Sequence, residues 1–163
     1  MSLERQLIKT WIAAFKKILG SGWRYVRADT AVNSGAVRPA GKFLSVKIIS
    51  GPIDYTMDEA LDFAGDKTHL EIISAKSFTL SLQAHREGAL DAINRIRLGL
   101  YDPDIVDFLR NDGKISVTTR GPVTDLSEDL ETGFVERWQC DISFAVGMIY
   151  KTKIGHIEKA VVG

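Results

Sequence analysis

The chain has 163 residues, 45% of them hydrophobic and 26% charged, and its formal net charge is zero. This length and composition exclude an intrinsically disordered chain and predict one globular domain that needs neither a metal nor a disulfide to fold. The balanced charge argues against a free-standing nucleic-acid-binding protein, because such proteins usually neutralise phosphates with an excess of lysine and arginine.

The zero net charge conceals three segments of a single sign. Residues 1–27 carry six basic side chains against one acidic side chain, Glu4, a net charge of +5. Residues 51–66 and 121–133 carry five and four acidic side chains, respectively, and no lysine or arginine. Solvated faces and acidic loops are the ordinary explanation of such runs, and complementary assembly surfaces are the alternative.

The sequence gives no sign of secretion or of membrane insertion. Cys140 is the only cysteine, so no internal disulfide can form. Its place in an apolar alternation predicts a buried, unreactive thiol. No apolar run approaches the about 20 residues of a membrane span, and the N-terminus lacks the order of a signal peptide. We therefore expect a protein that is made and kept in a cytoplasm.

An N-terminal helix is the first element that the sequence predicts. Ser2 can cap it, and Gly20 follows its expected last residue, Leu19. Apolar side chains recur at helical spacing on one face, with most of the charged ones elsewhere. Strands predicted by their apolar and β-branched residues follow over 23–28, 43–49 and 69–83.

The segment 51–66 is long for a connection in a compact domain, and such loops are often functional. Gly51-Pro52 is expected to end the preceding strand and to open this acidic loop. We expect the loop to be mobile in the isolated subunit and to become ordered on assembly, when its few apolar side chains meet a partner. The candidate interface residues are Asp54, Tyr55, Asp58, Glu59, Asp62, Phe63 and Asp66.

Two helices are predicted in the second half of the chain, over 87–100 and from Asp102-Pro103 to Arg110. Asp102-Pro103 is a good N-cap and first-turn pair, and Gly113 is expected to end the second helix. A strand over 115–120 should follow and stop at Gly121-Pro122, before an acidic loop.

The clearest signal in the sequence is an alternation over 134–150. Every even position is apolar except Glu136, whereas the odd positions include arginine, glutamine, aspartate and serine. This pattern predicts one long strand that buries Trp138, Ile142, Phe144 and Val146. A final short strand could follow over 154–162. Together the elements predict an α+β fold, a mainly antiparallel sheet with the N-terminal helix and an inserted helix pair packed on one face.

No arrangement of residues in the sequence predicts catalysis. The three histidines, His69, His85 and His156, lack metal-ligand spacing, and structural or surface roles are expected for them. No nucleophile elbow or dinucleotide-binding glycine pattern occurs, and the glycine-lysine pair at Gly113 lacks the context of a phosphate-binding loop. We predict no catalytic, metal or cofactor site.

Several short motifs, in their order and spacing, resemble phage neck and tail-terminator proteins from about Trp11 to Ile157. These motifs are Arg38-Pro39-Ala40-Gly41, Phe43-Leu44-Ser45-Val46, the strand 78–84, the helix 88–93, Val106-Asp107-Phe108-Leu109, the segment 121–126 and Arg137-Trp138. The family has no catalytic motif to transfer to this chain.

The resemblance implies a structural role in the virion. It implies a subunit of a ring, expected to be a hexamer, that caps the tail tube and joins it to the head. The implied partners are further copies of the chain, the tail tube protein and a head-completion or connector protein, with DNA only as passing cargo and no membrane. A small ligand-binding or enzymatic domain and a host-side interaction module remain the alternatives.

Overall fold

A computed structural model of the protein describes residues 2–28, 40–54, 60–63, 69–131 and 133–153. Its three helices are α1 (Leu3–Leu19), α2 (Ala89–Gly99) and α3 (Pro103–Gly113). The strands are β1 (Arg24–Arg27), β2 (Phe43–Asp54), β3 (Ala60–Phe63), β4 (His69–His85), β5 (Ile115–Asp125), β6 (Glu128–Leu130), β7 (Gly133–Val135) and β8 (Arg137–Lys153).

Six of these strands form one sheet in the order β1-β2-β4-β8-β5, with β3 also paired to β4. The β1–β2 pair is parallel and the other pairs are antiparallel. Strands β4 and β8 are each 17 residues long and pair over their whole length, from His69 opposite Lys153 to His85 opposite Arg137. Strands β6 and β7 form a separate hairpin. The predicted α+β fold is confirmed.

The caps of α1 lie where the sequence places them. The Ser2 hydroxyl accepts a hydrogen bond from the Arg5 N–H at 3.3 Å, which satisfies a backbone donor that the first turn leaves free. At the other end, the Gly20 N–H donates to the Lys16 carbonyl at 2.9 Å, with Gly20 at φ +72°. The helix is therefore fixed at both ends by short-range contacts.

The core lies between the helices and one face of the sheet. Even-numbered residues of β4 from Phe78 to Ala84 and of β8 from Cys140 to Val146 are buried against the helices, because side chains alternate along a strand. Trp11 of α1 is fully buried and packs edge-on against Phe144, with ring centroids 5.2 Å apart. Phe144 in turn stacks on Phe78 at 5.6 Å, and Trp11 contacts Phe15 at 5.5 Å. These aromatic contacts join α1 to the two central strands.

The inserted helix pair is fixed by polar contacts at its ends. The Asp102 carboxylate accepts from the Asp104 N–H at 2.9 Å, as expected for an N-cap. Helix α3 continues through Gly113, and Lys114 is the residue with positive φ, +55°. Gly113 is thus the last residue of the helix, as predicted. The Arg120 guanidinium donates to the Leu100 carbonyl at 2.9 Å and so connects β5 to the turn between the helices.

Both Gly-Pro dipeptides lie inside strands, whereas the sequence predicts that they end them. Strand β2 continues through Gly51-Pro52 to Asp54, with a shift of register, and β5 continues through Gly121-Pro122 to Asp125, also with a shift. These shifts are β-bulges, which accommodate a proline that cannot donate to its neighbour. A Cβ atom on Gly51 would lie 2.7 Å from the Ser77 carbonyl oxygen, and one on Gly121 would lie 2.7 Å from that of Asp141.

The long C-terminal strand is confirmed in its centre and corrected at its start. Ile142, Phe144 and Val146 are buried, as predicted, but Trp138 is only partly buried. Phe134, expected on the buried face, is 67% exposed because it belongs to the β6–β7 hairpin. The polar exception in the alternation, Glu136, marks the break before β8. The predicted final strand, 154–162, lies outside the described residues.

Replacing Phe144 by alanine should lower the free energy of unfolding by about 3–5 kcal/mol, because the ring is fully buried between Trp11 and Phe78. Urea denaturation followed by circular dichroism measures the change. Leu98→Ala is the control, since Leu98 is 73% exposed and its removal should change stability by no more than about 0.5 kcal/mol. Equal losses in the two variants would contradict the packing described.

Gly121→Ala should destabilise the protein by about 1–3 kcal/mol, because the added methyl group would press on the backbone of β8. Gly41→Ala is the matched control, since nothing lies within 4 Å of its Cβ position. Thermal unfolding of both variants measures the difference. A Gly121→Ala protein as stable as the Gly41→Ala protein would show that β5 does not approach β8 this closely.

Candidate assembly surfaces

The predicted interface residues do not form a single loop. We call residues 51–66 the assembly segment. Asp54 is the last residue of β2 and lies opposite Lys76 in register, while Asp62 and Phe63 lie on β3 opposite Glu71 and Leu70 of β4. The remaining candidates lie outside the described residues: Tyr55, Asp58, Glu59 and Asp66.

The described parts of the assembly segment both pair with the same strand, β4. Residues 51–54 of β2 and the whole of β3 both run antiparallel to β4, one after the other along the same side of it. The loop prediction is thus wrong for these eight residues. The Gly51-Pro52 signal was misleading because β4 continues beyond the bulge and offers its backbone groups to both pieces.

The β4–β8 pair extends beyond the part of the core whose side chains are described. Buried residues on this pair end at Phe78 and Val146, whereas backbone pairing continues to His69 and Lys153. We call this extension, residues 69–75 and 147–153 together with β3, the β-arm. Seven residues of strand span about 24 Å. The β-arm therefore brings Asp62 and Phe63 well away from the aromatic core.

A groove runs along the solvent side of α1, between the helix and β1. It has a volume of about 390 Å³ and combines a basic rim with an apolar floor. We call it the α1 groove. Its lining residues are Arg5, Ile8, Lys9, Ile12, Ala13, Lys16 and Arg27. Positions three and four apart on a helix share a face, so the sequence spacing of these residues produces the groove.

The acidic segment 121–133 forms the end of β5 and most of a hairpin, rather than a loop. We call the pair β6–β7 the acidic hairpin. Its Glu128 and Asp129 are exposed, as is Glu131 in the turn, and Leu130 and Phe134 are 50% and 67% exposed. Sequence reasoning missed the hairpin because Phe134 fits the apolar alternation of the following strand. Gly133, a residue typical of turns directly before Phe134, is the sequence signal that separates the hairpin from the following strand.

Hydrogen bonds at its base fix the hairpin to the sheet. The Leu126 N–H donates to the Arg137 carbonyl at 2.8 Å, and the Arg137 N–H donates to the Ser127 hydroxyl at 3.0 Å. Hydrogen bonds from the Ser127 hydroxyl and then from its N–H lower the pKa of the exposed Asp125 carboxyl. The position of the hairpin relative to β8 is therefore defined.

The sheet face opposite the helices carries hydroxyl and amide side chains. The Arg137 guanidinium donates to the Gln83 side-chain oxygen at 2.6 Å, and the Gln139 amide donates to the Ser81 hydroxyl at 3.2 Å. His85 lies beside the Ser45 hydroxyl, at 3.1 Å, which confirms a structural role for this histidine. All three described helices pack on the other face, so the helices leave these polar side chains uncovered.

Neither a metal-binding cluster nor an exposed thiol occurs in the part of the chain that the structure describes. Cys140 is buried as predicted, and desolvation raises the pKa of its thiol, which keeps it protonated. No group of three or more histidine, cysteine, aspartate or glutamate side chains among the described residues could hold a metal ion. No helix within these residues is long and apolar enough to cross a membrane.

A hollow of about 310 Å³ lies beside Arg86, Glu87 and Glu136. The Glu136 carboxylate accepts a hydrogen bond from the Leu90 N–H at 3.2 Å, in the first turn of α2. The helix lacks a capping side chain of its own, because its N-cap residue is Gly88. Glu136 thus satisfies a free backbone donor, and this structural task accounts for the carboxylate at the hollow.

Comparison with known proteins identifies the family. Residues 5–163 match the family model described as phage neck terminator protein, so the match includes α1, the whole sheet and the acidic hairpin. No curated protein matches the chain. The matched family is one of structural proteins, and its extent agrees with the span of the resemblance seen in the sequence. The chain belongs to the phage neck terminator family.

Proposed function

We propose that the protein is the subunit of a ring, expected to contain six copies, that caps the tail tube and joins it to the head. The observation that carries this proposal is the family match over residues 5–163. The ring is proposed to be assembled in the host cytoplasm and retained in the virion neck. Each subunit is proposed to be a single α+β domain.

A terminating ring must have two unlike faces. A tube of stacked rings offers the same addition surface at its growing end each time, so only a ring with one tube-like face and one different face can stop the series. The subunit supplies unlike surfaces, because helices cover one face of its sheet and hydrogen-bonded polar side chains cover the other. A ring that presents these two surfaces at its two ends would meet this requirement.

The assembly segment and the β-arm are proposed to contact the tail tube protein. Strand β3 pairs with β4 on one side, and its other side lies at an edge of the sheet as described. Backbone groups at a strand edge can pair with a strand of another protein, and side chains on that edge then supply specificity. Asp54, Asp62 and Phe63 lie on this part of the sheet.

The remaining proposed partners are a head-completion or connector protein on the opposite face and DNA as cargo. The five unopposed acidic side chains of the assembly segment would repel phosphate if they line the bore. We propose no catalytic role for the protein. The alternative, a ligand-binding or enzymatic domain, gains no support from the hollow beside Glu136, because that carboxylate caps α2.

Deletion of the gene tests the proposal directly. Without a terminating ring, tail tubes should reach uncontrolled lengths and fail to join heads, which electron microscopy of the lysate would show. Intact virions should contain the protein in a fixed, small copy number, measured by quantitative mass spectrometry. Complementation with the wild-type gene is the control.

Two outcomes would change the assignment. Tails of normal length attached to heads, or virions without detectable copies of the protein, would refute a terminator role. Normal tails lying free beside full heads would instead assign the protein to head joining alone.

The assembly segment should gain order when the subunit binds a tube. We expect amide hydrogen exchange over 51–66 to slow by about 10-fold or more in the bound state, as buried backbone groups become protected. Exchange in the centre of β8, residues 140–146, is the internal control and should not change. Binding to purified tubes with unchanged exchange over 51–66 would place the tube contact elsewhere.

A further inference from the structure

The α1 groove carries positive charge that the described residues do not neutralise. Arg27, at one end, pairs with Glu4 at 3.5 Å. No carboxylate of the described residues lies within 4.0 Å of the charged groups of Arg5, Lys9 or Lys16. These three basic side chains are exposed, whereas Ile8 beneath them is 2% exposed. The groove thus combines a positive rim with an apolar floor.

The acidic hairpin has the complementary surface. Glu128, Asp129 and Glu131 are exposed around two large exposed apolar side chains, Leu130 and Phe134. Large apolar side chains that protrude from a small acidic element cost solvation free energy unless a partner covers them. A partner that fits must offer apolar floor and positive charge together, which is the composition of the α1 groove.

The two surfaces belong to opposite edges of the same sheet. The groove is lined by Arg27 of β1, one edge strand, and the hairpin leaves from β5, the other edge strand. Four strand spacings of about 4.8 Å separate these edges, roughly 19 Å in all. The hairpin and groove of one subunit are therefore on different sides of it. Surfaces that match but lie on opposite sides produce head-to-tail contacts, which close into a ring when the rotation between neighbours closes and form open filaments when it does not.

We propose that the acidic hairpin of each subunit occupies the α1 groove of its neighbour in the ring. This inference rests on the proposed ring and names its lateral contact. The occupant is a second copy of this chain, because the hairpin matches the groove in both charge and apolar character. A nucleic acid would use the positive rim alone and leave Ile12 and Ala13 of the floor uncovered.

Disulfide cross-linking tests this contact in assembled particles. The variant Ala13→Cys/Leu130→Cys places one thiol on the groove floor and one at the hairpin, and the native Cys140 is 1% exposed. After mild oxidation of virions, a non-reducing gel should show a series of covalent multimers that ends at the closed ring. Ala13→Cys/Leu98→Cys is the matched control. It should remain monomeric, because Leu98 lies on α2 and not on the acidic hairpin that is proposed to reach the neighbour's groove.

The possible results separate this inference from the proposed function. Virions that contain the protein but yield no multimers would overturn the hairpin–groove contact and leave the ring proposal standing. Linkage of Ala13→Cys to a different neck protein would likewise overturn it and assign the groove to that partner. Virions that lack the protein would overturn both. An intramolecular disulfide in the monomer would also refute the head-to-tail geometry.

A charge exchange gives an independent measurement. Lys9→Glu/Lys16→Glu and Glu128→Lys/Asp129→Lys should each reduce complementation of the deletion phage by about 100-fold, because like charges would then face each other. The chain that carries all four substitutions should recover to within about 10-fold of wild type, since every contact again joins opposite charges. Lys17→Glu/Lys47→Glu, outside the groove, is the control and should complement normally. Failure of the fourfold variant, folded as judged by circular dichroism, would overturn the proposal.

Discussion

The contact between Trp11 and Phe144 is the interaction on which the remaining structure depends. It joins α1 to β8, and through Phe78 it extends to β4, the other central strand. An aromatic pair of this geometry contributes about 0.5–1.5 kcal/mol beyond its buried area. Because Trp11 and Phe15 are buried in the core, they set the rotation of α1 about its axis and therefore determine which of its residues face solvent. The position of the basic groove relative to the edge of the sheet therefore follows from a contact in the core.

The β4–β8 pair connects the core to both candidate assembly surfaces. Its register is unbroken over all 17 residues of each strand. At the His85–Arg137 end, hydrogen bonds attach the acidic hairpin. At the His69–Lys153 end, the pair continues into the β-arm. The β4–β8 pair thus carries the acidic hairpin, proposed to contact the neighbouring subunit, at one end. At the other end it carries the β-arm, proposed to contact the tail tube protein.

The sequence predicts those elements whose patterns are set by short-range physics. The caps of α1 and the alternation through Ile142 and Phe144 depend on neighbouring residues alone, and both are confirmed. The Gly-Pro dipeptides were misread because a bulge depends on a partner strand that is distant in sequence. The structure of the assembly segment and of the acidic hairpin likewise depends on strand pairing that the local sequence does not show. Unopposed acidic residues locate the segments, but only strand pairing shows that Asp62 lies on β3 and that 128–135 forms a hairpin.

Segregated charge has a different consequence in a ring than in a single subunit. The chain as a whole is neutral, but in the isolated subunit the positive rim of the α1 groove is exposed to any polyanion, including DNA. In the proposed ring, the basic surface of α1 would be covered by the acidic hairpin of the neighbour. Positive charge that is buried against carboxylates is no longer available to phosphate, whereas the assembly segment carries five acidic side chains and no lysine or arginine. If the assembly segments line the bore, the proposed ring would therefore present acidic side chains to the nucleic acid that passes through it.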